Sequence, residues 1–279
     1  TRMEWSKIKN IILLMLLLVN AILLALLAAR YFSARQNAWE AWRDCISVFD
    51  KNGITLQLDE APEGEGLEPL RAERDKEAEA AAAASFLGEV TTSEPGGGVL
   101  LCDGALGEAS FRAGGEFSVT LAAGAVSAGT QDAGSHALSL LKKMGLRADT
   151  ESLATEETDG ATVVSVSQAV DGAPVFTCTA SFTYESGALT SVSGRWVLAE
   201  PRADSRSESL GSPATALLLL LRHVMSAGDV CKEVTAVTAG YQVPATLSDP
   251  IKLTPVWRIT TDTGLYYVNT ESASVERAA

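Results

Sequence analysis

Apolar residues first occur as one unbroken run, IILLMLLLVNAILLALLAA from Ile11 to Ala29, in which Asn20 is the single strongly polar side chain. At about 1.5 Å rise per residue the run spans roughly 28 Å, close to the ~30 Å hydrocarbon core of a bilayer, and predicts a membrane-spanning helix. A cleaved secretory signal fits it less well, since the apolar region of a signal is about 7–15 residues long and ends in a small-x-small site. Leu27-Ala28-Ala29 puts a large residue where a small one is needed, and Arg30 follows at once. Beyond the run the period changes. From Tyr31 to about Phe49 there is no Gly or Pro, and Trp39, Trp42, Ile46 and Phe49 recur at spacings of three and four. This predicts an amphipathic helix that packs on the rest of the protein and ends at Lys51-Asn52-Gly53. Ile54, Leu56 and Leu58 then alternate as in a strand.

Asp59 to Pro69 is acidic and rich in Gly and Pro, as a solvated loop is. Leu70 to Leu87 is dense in Ala, Glu, Arg and Lys and predicts a surface helix with Arg74, Ala78, Ala82 and Phe86 along one side; it lacks the large apolar heptad of a coiled coil. After the break at Glu94–Gly98, Val99 to Ala125 predicts a meander of short strands with turns at Asp103-Gly104 and Gly114-Gly115. None of these glycines has the spacing of a phosphate-binding loop. A helix over Ala133 to Met144 and strands over Ala161–Val170, Val175–Tyr184 and Leu189–Ala199 follow, with Val164, Val166, Phe176, Phe182, Val192 and Trp196 as candidate core. Glu200 to Gly211 marks a boundary. Ser212-Pro213 caps a second helix over Ala214–Ser226, followed by strands over about Val230–Val243, Val256–Thr261 and Leu265–Thr270. Ala173-Pro174-Val175-Phe176 is answered by Thr254-Pro255-Val256-Trp257, which reads as a weak duplication. The expected fold is therefore α+β: an N-terminal transmembrane helix, then tandem units, each a helix packed on an antiparallel sheet. The expected segments are a tail at 1–10, the span at 11–29, membrane-proximal helices and meander at 30–130, and the two units at 131–200 and 212–279.

Charge sets the orientation. Arg2, Lys7 and Lys9 precede the span in a very short tail, which the positive-inside rule keeps cytoplasmic although Arg30 and Arg35 dilute the signal. The C-terminal bulk is then extracytoplasmic in a single-pass cell-membrane protein. Of the 22 basic residues Arg2, Lys7, Lys9 and Arg30 belong to the anchor and its flanks, and of the 35 acidic ones only Glu4 does, which leaves the remainder at −16. A surface that acidic repels nucleic acid and anionic lipid, so lipid is met only through the anchor. Within the span Ala21, Ala25 and Ala29 recur every four residues beside Asn20, a stripe along which a partner helix could approach closely. In a bilayer the Asn20 amide must be satisfied by such a helix or by its own backbone.

The opening Met3–Leu24, MEWSKIKNIILLMLLLVNAILL, with Glu4, Trp5, Lys7, Lys9 and Asn20, resembles the start of the YycI/YycH family. Leu253–Asn269, LTPVWRITTDTGLYYVN, resembles the closing hairpin of those proteins. The resemblance implies PepSY-like or cystatin-like units. It also implies an accessory role in Gram-positive bacteria, in which membrane helices and outer domains contact the sensor histidine kinase WalK (YycG) of a two-component system for cell-wall homeostasis, together with a sister YycH-like protein. The regulatory partner is the leading reading. The alternative is an anchored PepSY-type module that restrains a protease or binds a cell-wall ligand in a groove.

Chemistry adds little. His136 and His223 stand apart on predicted helices and read as surface or helix-end residues, short of the three or four ligands of a zinc site. Cys45, Cys102, Cys178 and Cys231 form no CxxC. An outer compartment permits disulfides in three connectivities, and buried free thiols are expected ahead of any one bridge. No nucleophile elbow is present, and the abundant carboxylates single out no dyad. No catalytic residue, cofactor or metal is assigned, and the protein is read as a non-enzyme. A hydrolase with a hidden site is the third reading.

Overall fold

Helix α1 (Trp5–Lys51) runs unbroken through the apolar run and the amphipathic stretch beyond it. With no Gly or Pro before Gly53, nothing interrupts its hydrogen-bond ladder. The structure, a computed structural model, describes residues 5–58, 60–244 and 250–278, with side chains described for these except 5–11, 28–35 and 37. Asn52 donates to the Val48 carbonyl at 2.8 Å, and Gly53 at φ +74° turns the chain away.

Two short strands follow, β1 (Thr55–Leu56) and β2 (Leu70–Ala72). Helix α2 (Lys76–Leu87) leads into β3 (Val90–Gly96), β4 (Val99–Gly104), β5 (Gly107–Phe111) and β6 (Glu116–Leu121), with β7 (Val126–Ser127) after them. Helix α3 (Ala133–Lys143) leads into β8 (Ala148–Thr158), β9 (Ala161–Val170), β10 (Ala173–Glu185) and β11 (Ala188–Arg195). After β12 (Arg202–Ala203), helix α4 (Pro213–Ala227) leads into β13 (Glu233–Gln242), β14 (Ile251–Thr261), β15 (Gly264–Asn269) and β16 (Ser274–Arg277). Each helix precedes four strands paired antiparallel in chain order, so the helix-and-meander unit occurs three times where two were expected. The fold is α+β around one large, mostly antiparallel sheet.

The unit missed from the sequence begins at α2. Leu70–Ala72, composed of residues a helix accepts, is instead extended and paired with Ile251–Leu253 of β14. The Asp75 carboxylate starts the helix by accepting from the Glu77 and Ala78 amides at 2.9 and 3.0 Å. The buried stripe of α2 is Glu79, Ala83, Phe86 and Leu87, rotated from the one expected. Because β6 pairs with β11, the first two units share a core: Phe86 and Leu87 of α2 and Ala137 and Leu141 of α3 cover Phe111, Val119, Val164, Phe182, Val192 and Trp196. The third unit has its own. There Trp42, Cys45 and Phe49 of α1 and Leu217, Leu220, Leu221 and Val224 of α4 pack over Trp257, Ile259, Tyr266 and Val268. The Ser212 cap on the Thr215 amide and Pro213 at the first turn start α4 as expected.

A third cluster joins the two halves. It contains Leu70, Val175, Cys178, Val197, Tyr241, Ile251 and Leu253, where β10 and β13 meet in parallel at Val175 and Tyr241. Tyr241 is also opposite Pro255, so the two Pro-Val segments flank β13. They lie on the third strand of one unit and the second of the next, and do not mark equivalent strands of a duplication. Phe176, expected in the core, is half-buried, because a bulge between Val175 and Thr179 turns it to the other face of the sheet. There it stacks on Tyr267 at 5.6 Å, with the Arg258 guanidinium 4.4 Å from its ring.

Polar bonds, buried at Gln168 and part-buried to exposed at Arg195, pin the same seam. Gln168 donates to the Val197 carbonyl at 2.7 Å and accepts from its amide at 2.9 Å. Arg195 donates to the carbonyls of Gly114, Val243 and Pro244 at 2.7, 3.2 and 2.8 Å. Replacing Gln168 with Met keeps its bulk and leaves the Val197 backbone groups unpaired. The expected loss is about 1–3 kcal/mol, read as a lower urea midpoint with an unchanged slope.

Candidate functional site

The clearest unsatisfied surface is on α1. From Ile12 to Leu27 every described side chain is exposed, Leu14 by 70% and Val19, the least exposed large one, by 48%. Ala21 and Ala25 are exposed on this stretch, and the side chain of Ala29 lies outside the described residues. Asn20 donates its amide to the Leu16 carbonyl one turn back at 3.0 Å, so its own helix takes up one N–H of an otherwise exposed side chain. Among the described residues no helix is long and apolar enough to cross a membrane; the described side chains of this run stop at Leu27. Farther along, Trp39 remains 57% exposed with Arg43 4.7 Å from its ring, while Trp42 is buried.

The two histidines separate. His223 is half-buried at the edge of the Tyr266 ring. His136, expected near the surface, is only 8% exposed, and its Nδ1 shares a hydrogen bond of 2.9 Å with the Tyr184 hydroxyl. Burial holds the imidazole below its ordinary value and the phenol far above its own. The sequence could not show this, because Tyr184 is on β10 and reaches α3 only across the folded core.

The four cysteines are free, with Cys45, Cys102 and Cys178 buried. Burial pushes the Cys45 thiol up to about 11 and Cys178 to about 12, and at Cys231 burial and the Asp262 charge act in the same direction. Groups held in the thiol form are poor nucleophiles. Among the described residues no group of His, Cys, Asp and Glu could hold a metal ion. Open clefts are present among the described residues, of which two are the larger. One, of about 1120 Å³, lies between β8–β10 and β13 and is bordered by Glu63, Arg147, Asp149, Asp171 and Arg258. The other, of about 770 Å³, lies beside β2 and the start of α2.

No family model and no curated protein matches the chain. Among solved structures it is similar to an uncharacterized protein from Eubacterium rectale, at 13% identity over 81% of this chain and 90% of that one, with a TM-score of 0.48. It is also similar to the C-terminal domain of Bacillus megaterium YpeB, at 13% identity over 75% of this chain and 99% of that one, with a TM-score of 0.38. Neither likeness bears on partners or activity. The stretch Leu253–Asn269 forms the β14–β15 hairpin, which β16 then extends.

The buried histidine gives a pH dependence with a definite sign. The unfolded chain takes up the proton near the ordinary value of 6.5, before the folded protein does. Stability is thus complete above that value and falls as pH drops through it toward the lower folded value. Comparing urea unfolding at pH 7.5 and 5.0, we expect a smaller acid-induced loss in His136→Asn than in the native protein.

Proposed function

We propose that this protein is a single-pass membrane protein, with its N-terminus in the cytoplasm, whose acidic outer domain modulates a two-component sensor histidine kinase of cell-wall homeostasis. The observation that carries the reading is the continuity of α1. One helix joins a stretch of uncovered Leu, Ile and Met side chains to Trp42, Cys45 and Phe49, which are locked into the core of the third unit. Apolar surface left in water costs about 25 cal/mol per Å², and lipid together with a neighbouring helix removes that cost. The kinase, the sister YycH-like protein and the PepSY-like character of the units come from the family resemblance at the two ends. Asn20, Ala21, Ala25 and Ala29 form the proposed helix contact, with the exposed Asn20 side chain available to a polar group on the partner. Outer-domain contacts add to this through the high effective concentration of two proteins in one membrane. The ≈1120 Å³ cleft favours, as a second reading, an anchored module that binds a ligand or restrains a protease.

Ala25→Phe and Asn20→Leu test the helix face. Co-purification of the kinase from detergent extracts is expected to fall several-fold in Ala25→Phe and roughly 3- to 30-fold in Asn20→Leu, since one such amide is worth roughly 0.6–2 kcal/mol. Unchanged recovery in both variants removes this face from the interface. Protease protection that places the outer domain in the cytosol ends the reading altogether.

A further inference from the structure

Strands β12, β2 and β14 hold Arg202, Arg71 and Lys252 directly opposite one another. Neighbouring strands are about 4.8 Å apart, so three cationic stems leave one face of the sheet in a row roughly 10 Å long. Like charges directly opposite weaken a sheet. The strands cannot turn over to separate them, because Leu70, Ala72, Ile251 and Leu253 are buried on the other face. Among the described residues none of the three cations has an ion pair or a side-chain hydrogen bond, although acidic residues outnumber basic ones 35 to 22 in the chain.

Several of the neighbouring charges are already engaged. Glu79 holds Arg74 through both oxygens at 2.7 and 2.8 Å, Glu94 holds Lys76 at 2.7 Å, and Asp75 caps α2. Glu73, Glu77 and Glu200 border the ≈770 Å³ cleft that Arg71 and Arg202 also line, and none of them pairs with the row. Their repulsion acts on any anion in the cleft, and it is opposed by three cations grouped in one row.

We infer that this row is a binding site for an oligophosphate, an anion with two or more linked phosphoryl groups that lies across β12, β2 and β14. Arginine forks match phosphate oxygens bidentately, and lysine adds a point charge. A long polyanion is repelled by the rest of the acidic surface; a short one is not, since that repulsion is screened within about 10 Å at 0.1 M salt. The site is independent of the kinase reading.

Calorimetric titration of the full chain in detergent tests it, with sodium tripolyphosphate in one arm and a prenyl pyrophosphate in micelles of the same detergent in the other, each read against the detergent blank. Saturable binding is expected to weaken at least about tenfold between 50 and 200 mM salt. It is also expected to weaken about tenfold in Arg71→Gln and in Lys252→Gln, each with an unchanged circular dichroism spectrum. Binding of tripolyphosphate supports the site with a soluble ligand, and binding of the prenyl pyrophosphate alone supports it with a lipid-borne one. No binding in either arm, or binding indifferent to both substitutions, overturns it.

Discussion

The structure depends on the seam at Val175 and Tyr241. Each unit alone is a helix on a thin sheet, and such a sheet buries only one face. Where β10 meets β13 the register is a single parallel pair, too little hydrogen bonding to fasten two halves of a protein. Apolar burial and a few buried polar bonds supply the rest. The Tyr241 ring is enclosed with Val175, Val243 and Leu253, and its hydroxyl donates to the Glu68 carbonyl at 3.0 Å. Thr177 exchanges hydrogen bonds with both backbone groups of Val243. Gly240 is required here, since a Cβ would come within 2.5 Å of the Phe176 ring and the Pro174 carbonyl. The seam orients everything on either side, from the shared core of the first two units to the place where α1 docks.

The parts legible in the sequence are those whose signals are local. A hydroxyl cap followed by proline starts α4, and the Asp171-Gly172 turn signal after Val170 ends β9 where the sequence predicts. The failures are non-local. Leu70–Ala72 has a helical composition, and the pairing with β14 that overrides it comes from residues far along the chain. Strands β8 and β16 close the second and third meanders at their outer edges, and both carry charged residues, Asp149, Glu151, Glu156, Glu157, Glu276 and Arg277, as edge strands do to avoid pairing with another chain. The same charges erase the alternation by which a strand is recognised.

The candidate surfaces divide in the same manner. The apolar run and its alanine stripe are visible to any reader of the chain, while the partner of the Asn20 amide is not: a residue one turn away takes the hydrogen bond. The row of Arg202, Arg71 and Lys252 is invisible in sequence, because it is assembled from three strands, two of which read as a linker and a helix.

Helix α1 has a geometric consequence. Asn20 and Trp42 are 22 positions apart on one uninterrupted helix, which at 3.6 residues per turn sets them about 40° apart around the axis and some 33 Å apart along it. Trp42 is buried in the core that α4 completes. The azimuth of the Asn20 side is thereby fixed in phase with the flank of the third unit that carries α4. A neighbour seated against Asn20 lies on that flank's side, and any rotation of the helix about its own axis must carry the third unit through the same angle.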